Sequence, residues 1–397
     1  MTSQVVVYNM NGIAIASDTV VTSNSDAGSK TTANAEKIYE LGPKHKVLAV
    51  HYGGTALNDV SHQFHFAEWA LTLDEPFPKL TDYVNSYIEW TGKSKFHTPS
   101  SEAGEMRGAL NNHFAEIKRR MNAFYDAWEP AEETSEAEDI LELEQANQKI
   151  AEEGLIYLKS LPLYEGMTEA KSRLAIKAAG LDLGEMIDTF FEGFRRNARF
   201  KSILKSSAPY VLARAQSMPW DSFMAFTGYG SNEPFPGSQV LTCRSIYADQ
   251  LIYDLEEKTE ISPGPLSAEI SRFAQGDAIE AFLKGYNTDI ISGFSWAIEK
   301  QVRELAGDVV SPEIAKQVAA NAVEYIENHS WKRYVQPILR QVAGMNLFGM
   351  AELARTLVSI QATFSEAQDG PVSVGGVIEV VTIDRVNGVR WKNRLPR

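Results

Sequence analysis

The stretch Met1-Thr2-Ser3-Gln4-Val5-Val6-Val7-Tyr8-Asn9-Met10-Asn11-Gly12-Ile13-Ala14-Ile15-Ala16-Ser17-Asp18 puts a hydroxyl-bearing residue second in the chain, directly ahead of a β-branched run. A small residue after Met1 is the setting in which an initiator methionine is trimmed. Trimming would leave a mature N-terminus with a free threonine. Its hydroxyl is a poor nucleophile until a base takes the proton, and an α-amine of unperturbed pKa about 8 can be that base on the same residue. The plain alternative is the ragged start of an edge strand. A second pattern is His62 and His65, three apart, with Glu68 three further on. One helix face would carry all three, and it reads as a polar face rather than a metal site. No other Cys/His spacing fits zinc, and neither metal nor cofactor is expected.

The elements that must position Thr2 follow from periodicity. Gln4–Tyr8 and Gly12–Ser17 are short, β-branched-rich runs around Asn9-Met10-Asn11, a hairpin pattern with both strands buried. A polar stretch, Ser23–Asn34, leads to Lys37-Ile38-Tyr39-Glu40-Leu41, a turn at Gly42-Pro43, and the apolar run Val47–Tyr52 closed by Gly53-Gly54. Together these read as a β-meander. From Ala56 to about Ala215 the period becomes helical, with amphipathic stretches near 57–73, 79–91, 101–128, 135–159, 168–180 and 183–205. Strand character returns at Ser222–Thr227 and Gln239–Leu255. The span 265–365 reads as mainly helical, and the chain closes on a hairpin, Gly376–Asp384 and Val389–Trp391, turning at Asn387-Gly388. Strands at both ends and in the middle imply one α+β domain over 1–397, its sheet completed by distant segments, with a helical insertion at 56–215.

Composition narrows the function classes. The 397 residues are 44% hydrophobic and 10% aromatic, enough for a sizeable core. With 38 Lys and Arg against 52 Asp and Glu, the formal charge is −14 and the pI about 5.1. Nucleic acid and anionic membrane are poor partners for such a chain, because phosphate binding needs a basic face. The single Cys243 cannot form an intrachain disulfide, and there is no signal-peptide pattern and no apolar run of about 18 residues. The expected compartment is the cytoplasm.

The N-terminal residues carry a family resemblance. Thr2 opening a strand, Asp18 ending the next, Lys37 within Glu-Lys-Ile-Tyr-Glu-Leu, and Ala49-Val50-His51-Tyr52-Gly53-Gly54-Thr55-Ala56 resemble, in order, a proteasome β-subunit and its bacterial ATP-dependent relative. Ala225-Phe226-Thr227-Gly228-Tyr229-Gly230-Ser231 and Ser373-Val374-Gly375-Gly376-Val377-Ile378-Glu379-Val380 resemble later motifs of the family. The whole chain is similar to long bacterial proteasome-like proteins of unsettled function, which share the Phe273-Ala274-Gln275 and Gly228-Tyr229-Gly230 neighbourhoods. The resemblance implies an N-terminal nucleophile (Ntn) hydrolase with the four-layer αββα sandwich and added helices.

By that resemblance Thr2 is the nucleophile, with Asp18 and Lys37 catalytic beside it. Lys37 would lower the pKa of the Thr2 hydroxyl and amine, and Asp18 would keep Lys37 charged and oriented. A backbone N–H of the turn, at Val50 with Gly53 in support, would hold the oxyanion. Tyr229 stands where the family has a serine that holds the amine. Pro371 and Val374 fall at a supporting aspartate and serine, which leaves Asp369 and Ser373 as displaced candidates. Val50 falls where the family has glycine, and Lys30 competes with Lys37. The implied function is a threonine protease acting on peptide or protein substrates as a homo-oligomer, ring-shaped and served by an ATP-dependent unfoldase. The alternatives are a catalytically inactive structural or binding protein on the same fold, or an Ntn amidase acting on a small molecule.

Two charged stretches remain. Glu132, Glu133, Glu136, Glu138, Asp139, Glu142, Glu144, Glu152 and Glu153 face one lysine, Lys149, and read as a solvated helix. Arg195, Arg196, Arg199 and Lys201 form a basic island that could answer such a face in a neighbouring subunit. Tyr229-Gly230-Ser231-Asn232 lacks the lysine and the helix start of a phosphate loop.

Overall fold

A computed structural model describes the chain except for residues 1, 26–27, 33–34, 130–134, 219–220, 265, 307–308, 370–371 and 396–397, and except for the side chains of 22–31 and 257. It opens with the hairpin β1 (Ser3–Asn9) and β2 (Gly12–Ser17), continues as a ribbon, β3 (Val21–Ser25) and β4 (Gly28–Thr32), and then forms β5 (Ile38–Glu40) and β6 (Lys46–Gly53). The short pair β7 (Ala56–Leu57) and β8 (Val60–Ser61) leads into α1 (His62–Ala70), α2 (Leu80–Gly92), α3 (Pro99–Ala127), α4 (Glu136–Ser160), α5 (Glu169–Ala178), α6 (Leu183–Phe190) and α7 (Ala198–Ala213). Next come β9 (Ser222–Tyr229), β10 (Gly237–Tyr247), β11 (Gln250–Glu260) and β12 (Ala268–Ala274). Then α8 (Asp277–Lys284), α9 (Thr288–Ala306), α10 (Pro312–Ser330), a π-helical turn at Trp331–Val335, α11 (Gln336–Ala343) and α12 (Leu347–Ala367) precede the hairpin β13 (Glu379–Asp384) and β14 (Gly388–Asn393).

The molecule is α+β, built on two five-stranded antiparallel sheets ordered β12-β1-β2-β13-β14 and β11-β10-β9-β6-β5. Side chains alternate across a strand, so each buried strand feeds two cores. Val6, Tyr8, Ile13 and Ile15 of the first sheet meet Ile38, Leu48, Val50 and Ala225 of the second. On the first sheet's other face, Val5, Val7, Ala14 and Ala16 pack under Ile279 of α8 and Met350, Ala354, Leu357 and Val358 of α12. On the second sheet's other face, Val47, Ala49, Met224 and Phe226 pack under Phe66 and Trp69 of α1 and Tyr83 and Tyr87 of α2. Fully buried strands of this kind are continuous apolar runs, which is why β1, β2 and β6 are so readable.

A separate helical core joins α3 to α7 through residues such as Leu110, Phe114, Leu158, Ile187, Phe200 and Leu204, and reaches Tyr247 and Ile252 of the β10–β11 hairpin. Of the helices between β8 and β9, α1 and α2 thus belong to the second sheet's layer, while α3–α7 build their own core.

One expectation is corrected and two are refined. The N-terminal strands are not one meander: β1–β2 and β5–β6 lie in different sheets, with the β3–β4 ribbon between them. The run 239–255 is two strands turning at Ala248-Asp249, both at φ 56°. The span 265–365 contains β12, the edge strand that pairs with β1.

Candidate functional site

Asp18 follows the last residue of β2 and its backbone continues the ladder, its N–H donating to Ser3 O at 3.1 Å. The side chain then turns back to take Ser3 N–H on Oδ1 at 2.9 Å. The same Oδ1 accepts from Lys37 Nζ at 2.7 Å, while Oδ2 accepts the Val20 and Gly375 N–H groups, each at 3.2 Å. Four donors on one carboxylate offset the cost of burying it.

Lys37 precedes β5, and its carbonyl accepts from His51 N at 2.9 Å, which fixes its backbone against β6. Its ammonium bonds Asp18 Oδ1 and Val20 O at 2.6 Å, so two of three N–H donors are used. Both side chains of the pair are buried, at 3% and 0% exposure. Burial lowers the Lys37 pKa from its ordinary value, and the Asp18 charge opposes that shift without cancelling it. Glu379, opposite Ser17 across β13 and β2, is the next carboxylate to feel the Lys37 charge; burial pushes its own pKa up.

Thr2 is held from both sides along the chain. Its carbonyl accepts from Gln275 N at 2.8 Å, and the next N–H, on Ser3, is the one bound by Asp18. Ser373 Oγ donates to Gln275 Oε1 at 2.8 Å and shares a 3.0 Å hydrogen bond with Ser365 Oγ. The structure therefore gathers Thr2, Asp18, Lys37 and Ser373 around the ends of β1, β2 and β5. Gln275 and Ser365 join them without having been singled out as site residues. The one signal was the Phe273-Ala274-Gln275 neighbourhood, where Ala274 adopts φ 60° as β12 ends.

The oxyanion role expected at Val50 does not fit. His51 N donates to Lys37 O, so Val50 and Ile38 form a non-hydrogen-bonded pair, and on that side the Val50 amide points away. Gly54 N donates to Asp221 O at 3.1 Å, which makes Tyr52–Phe223 and then Val50–Ala225 hydrogen-bonded pairs. The Val50 N–H is thus spent on Ala225 O. Alternation sends the Gly53 N–H the other way, past the end of β5 and beside the His51 carbonyl, which takes Gln4 Nε2 at 2.8 Å. Gly53 sits at φ 84°, and a Cβ there would lie 2.6 Å from Asp221 O, so the close β6–β9 approach requires glycine.

Tyr229 is not brought to the site. It pairs with Lys46 at the opposite end of β6, whereas His51 pairs with Met224; five residues at about 3.3 Å each put it roughly 16 Å away along the strand. Its hydroxyl is buried without a hydrogen-bond partner among the described residues. Asp369 is exposed, and Pro371 and the Lys30 side chain lie outside the described residues.

His62 and His65 are core side chains rather than a polar face, both at 0% exposure, with the His62 ring 4.7 Å from that of His51 and tilted 35° to it. Among the described residues no group of three His, Cys, Asp or Glu is placed to hold a metal ion. The basic island is answered within the chain: Arg199 lies 3.9 Å from Glu152 of α4, and Lys201 binds Asp188. Among the described residues no helix is long and apolar enough to cross a membrane. The sequence matches no family model and no curated protein.

Proposed function

We propose that this chain is a threonine-type Ntn hydrolase of the proteasome-like class, a peptidase that uses Thr2 once Met1 is removed. The observation that carries the reading is the single oxygen, Asp18 Oδ1, that accepts both Lys37 Nζ and the N–H directly after Thr2. A buried ammonium is thereby tied to the one residue able to present a hydroxyl and a free amine together. Two sheets with helices on their outer faces also suit the four-layer αββα sandwich of that class.

In this reading the Thr2 amine takes the hydroxyl proton, and Lys37, with a third N–H that bonds none of the described residues and its pKa lowered by burial, stabilises the alkoxide. The Gly53 N–H, rather than that of Val50, receives the developing oxyanion. Ser373 and Gln275 hold the strand end that carries Thr2. Self-association into a closed particle and feeding by an unfoldase extend the same reading.

A second reading is favoured by the Val50 amide, because a chain whose expected oxyanion donor is used in its own sheet fits a scaffold that has kept the fold and lost the reaction. Mass spectrometry of the purified N-terminus, with fluorogenic peptide amides and an electrophilic peptide probe, separates the two. The enzyme reading expects loss of Met1, labelling on Thr2, and loss of turnover and labelling in Thr2→Ala. Retained Met1, or turnover unchanged in Thr2→Ala, overturns it.

A further inference from the structure

At the end of β6 opposite Gly53, Lys46 pairs with Tyr229 of β9, so both side chains leave the same face of the sheet. Tyr229 joins the core between the two sheets. Lys46 reaches beside it to the first sheet, its Nζ bonding the Arg385 carbonyl in the β13–β14 turn. Arg385 reaches back, with Nη2 3.5 Å from Ser231 O. Together with Lys44 and Gly230 these residues line a cleft of about 200 Å³. Gly230 is required there, because a Cβ would lie 2.2 Å from Pro78 O, where the loop rests on the segment before α2.

The loop Tyr229-Gly230-Ser231-Asn232 has no lysine of its own, and the fold supplies one from β6. Its amides are already used: Gly230 N–H goes to Glu233 Oε2 at 2.8 Å, Ser231 N–H to Phe77 O at 2.9 Å and Asn232 N–H to Pro78 O at 3.1 Å. A ligand in the cleft is therefore held by side chains, and the lining carries three cations and no carboxylate. The nearby carboxylates are engaged. Glu75 pairs with Lys44 at 2.5 Å, Glu233 takes the Gly230 and Leu80 amides, and Asp384 takes those of Val386 and Asn387. Among the described residues Lys46 and Arg385 bond only carbonyls, which leaves two positive charges without a counter-charge. Tyr229 is 3% exposed and its hydroxyl has no partner among the described residues, a state that asks for an explanation in a folded chain. Burial pushes its pKa up to about 12, so it stays a neutral donor.

We propose that this cleft binds a phosphate group, free or as the phosphomonoester end of a small molecule, through Lys46, Arg385 and the Tyr229 hydroxyl, with Lys44 at its rim. A phosphomonoester carries a charge of about −1.5 to −2 at neutral pH and three strong acceptor oxygens, which matches two unanswered cations and one free hydroxyl. A monocarboxylate would leave one cation unanswered. Arginine supplies a planar fork and lysine a point charge, and both are established binders of phosphate oxygens. A nucleic-acid strand fits less well, since a chain of net charge −14 repels a long polyanion while a single phosphate needs only the local field. The site goes beyond the hydrolase reading and does not depend on it, because binding here and labelling at Thr2 are read separately.

Phosphorus NMR of inorganic phosphate and of glycerol 3-phosphate, each titrated with the full chain at fixed ionic strength, tests it. Wild type is expected to broaden the probe's line saturably, and the tighter-bound probe tells free phosphate from a monoester. Lys46→Met and Arg385→Gln should each weaken binding at least about tenfold. Tyr229→Phe, which changes no charge, should weaken it several-fold. Lys95→Met, an exposed lysine between α2 and α3, should bind as wild type does. Far-ultraviolet circular dichroism is expected to be the same for all of them. No saturable broadening by wild type with either probe, an equal loss in Lys95→Met, full binding by Tyr229→Phe, or displacement by succinate as effective as by phosphate would overturn the proposal.

Discussion

Asp18 Oδ1 and Lys37 Nζ lie 2.7 Å apart with both side chains buried, and the same oxygen holds the Ser3 amide. Removing either partner strands the other charge away from water, which generally costs about 3–5 kcal/mol. Asp18→Ala leaves Lys37 with only the Val20 carbonyl, so a stability loss of that order is expected in urea unfolding. Lys37→Met should cost less, because Asp18 keeps three backbone donors. Equal losses would show that the carboxylate's amide bonds matter little.

The cluster behind the site makes stability pH-dependent. Burial lowers the pKa of His51 and of His65 to about 4, and that of His62 well below its ordinary value. The unfolded chain therefore binds more protons than the native one between about pH 6.5 and pH 4, so stability is full above 6.5 and falls as pH drops through that window. Each such histidine contributes a slope of about 1.4 kcal/mol per pH unit there. Urea midpoints measured from pH 7.5 to 4.5 should fall accordingly. Both ring nitrogens of His62 lack partners among the described residues, so His62→Leu is expected to be neutral or stabilising at pH 7 and to flatten the dependence.

Asp18 and Lys37 were legible through the resemblance rather than through their own surroundings, because only the order of Thr2, Asp18 and Lys37 along the chain singles them out. Gln275 and Ser365 were not legible as site residues. Gln275 reaches Thr2 only because β12, a mixed run of Ala, Glu, Ile, Ser, Arg and Phe, pairs with β1 across more than half the chain, and Ser365 joins from α12 through Ser373. No local period marks such an edge strand. Val50 and Tyr229 show the opposite error: a motif matched along the sequence says nothing about which way an amide points, or which end of a strand a residue occupies.

Ser373 and Tyr229 should separate accordingly. Ser373→Ala removes the bond to Gln275 Oε1 and leaves Ser365 Oγ without its side-chain partner, for an expected loss of about 1–2 kcal/mol and looser holding of Thr2. Tyr229→Phe deletes a buried hydroxyl that has no partner among the described residues, on β9 opposite the far end of β6, and should leave both stability and labelling at Thr2 unchanged or slightly raised. Thermal unfolding and probe labelling of the two variants side by side check the contrast.

Gly53 links the fold to the proposed chemistry, and alanine there tests both. Its φ of 84° costs an L-residue about 1–2 kcal/mol, and the new Cβ, 2.6 Å from Asp221 O, must push β9 from β6 where Gly54 N is bonded to that carbonyl. A stability loss above about 2 kcal/mol is expected. If the Gly53 amide is the oxyanion donor, turnover falls further than stability predicts, by about 10²–10³ as for other single donors. Gly104→Ala, on an exposed turn of α3 with open space around it, is the control and should stabilise by roughly 0.5–1 kcal/mol. A Gly53→Ala protein that folds normally and keeps full turnover would place the donor elsewhere.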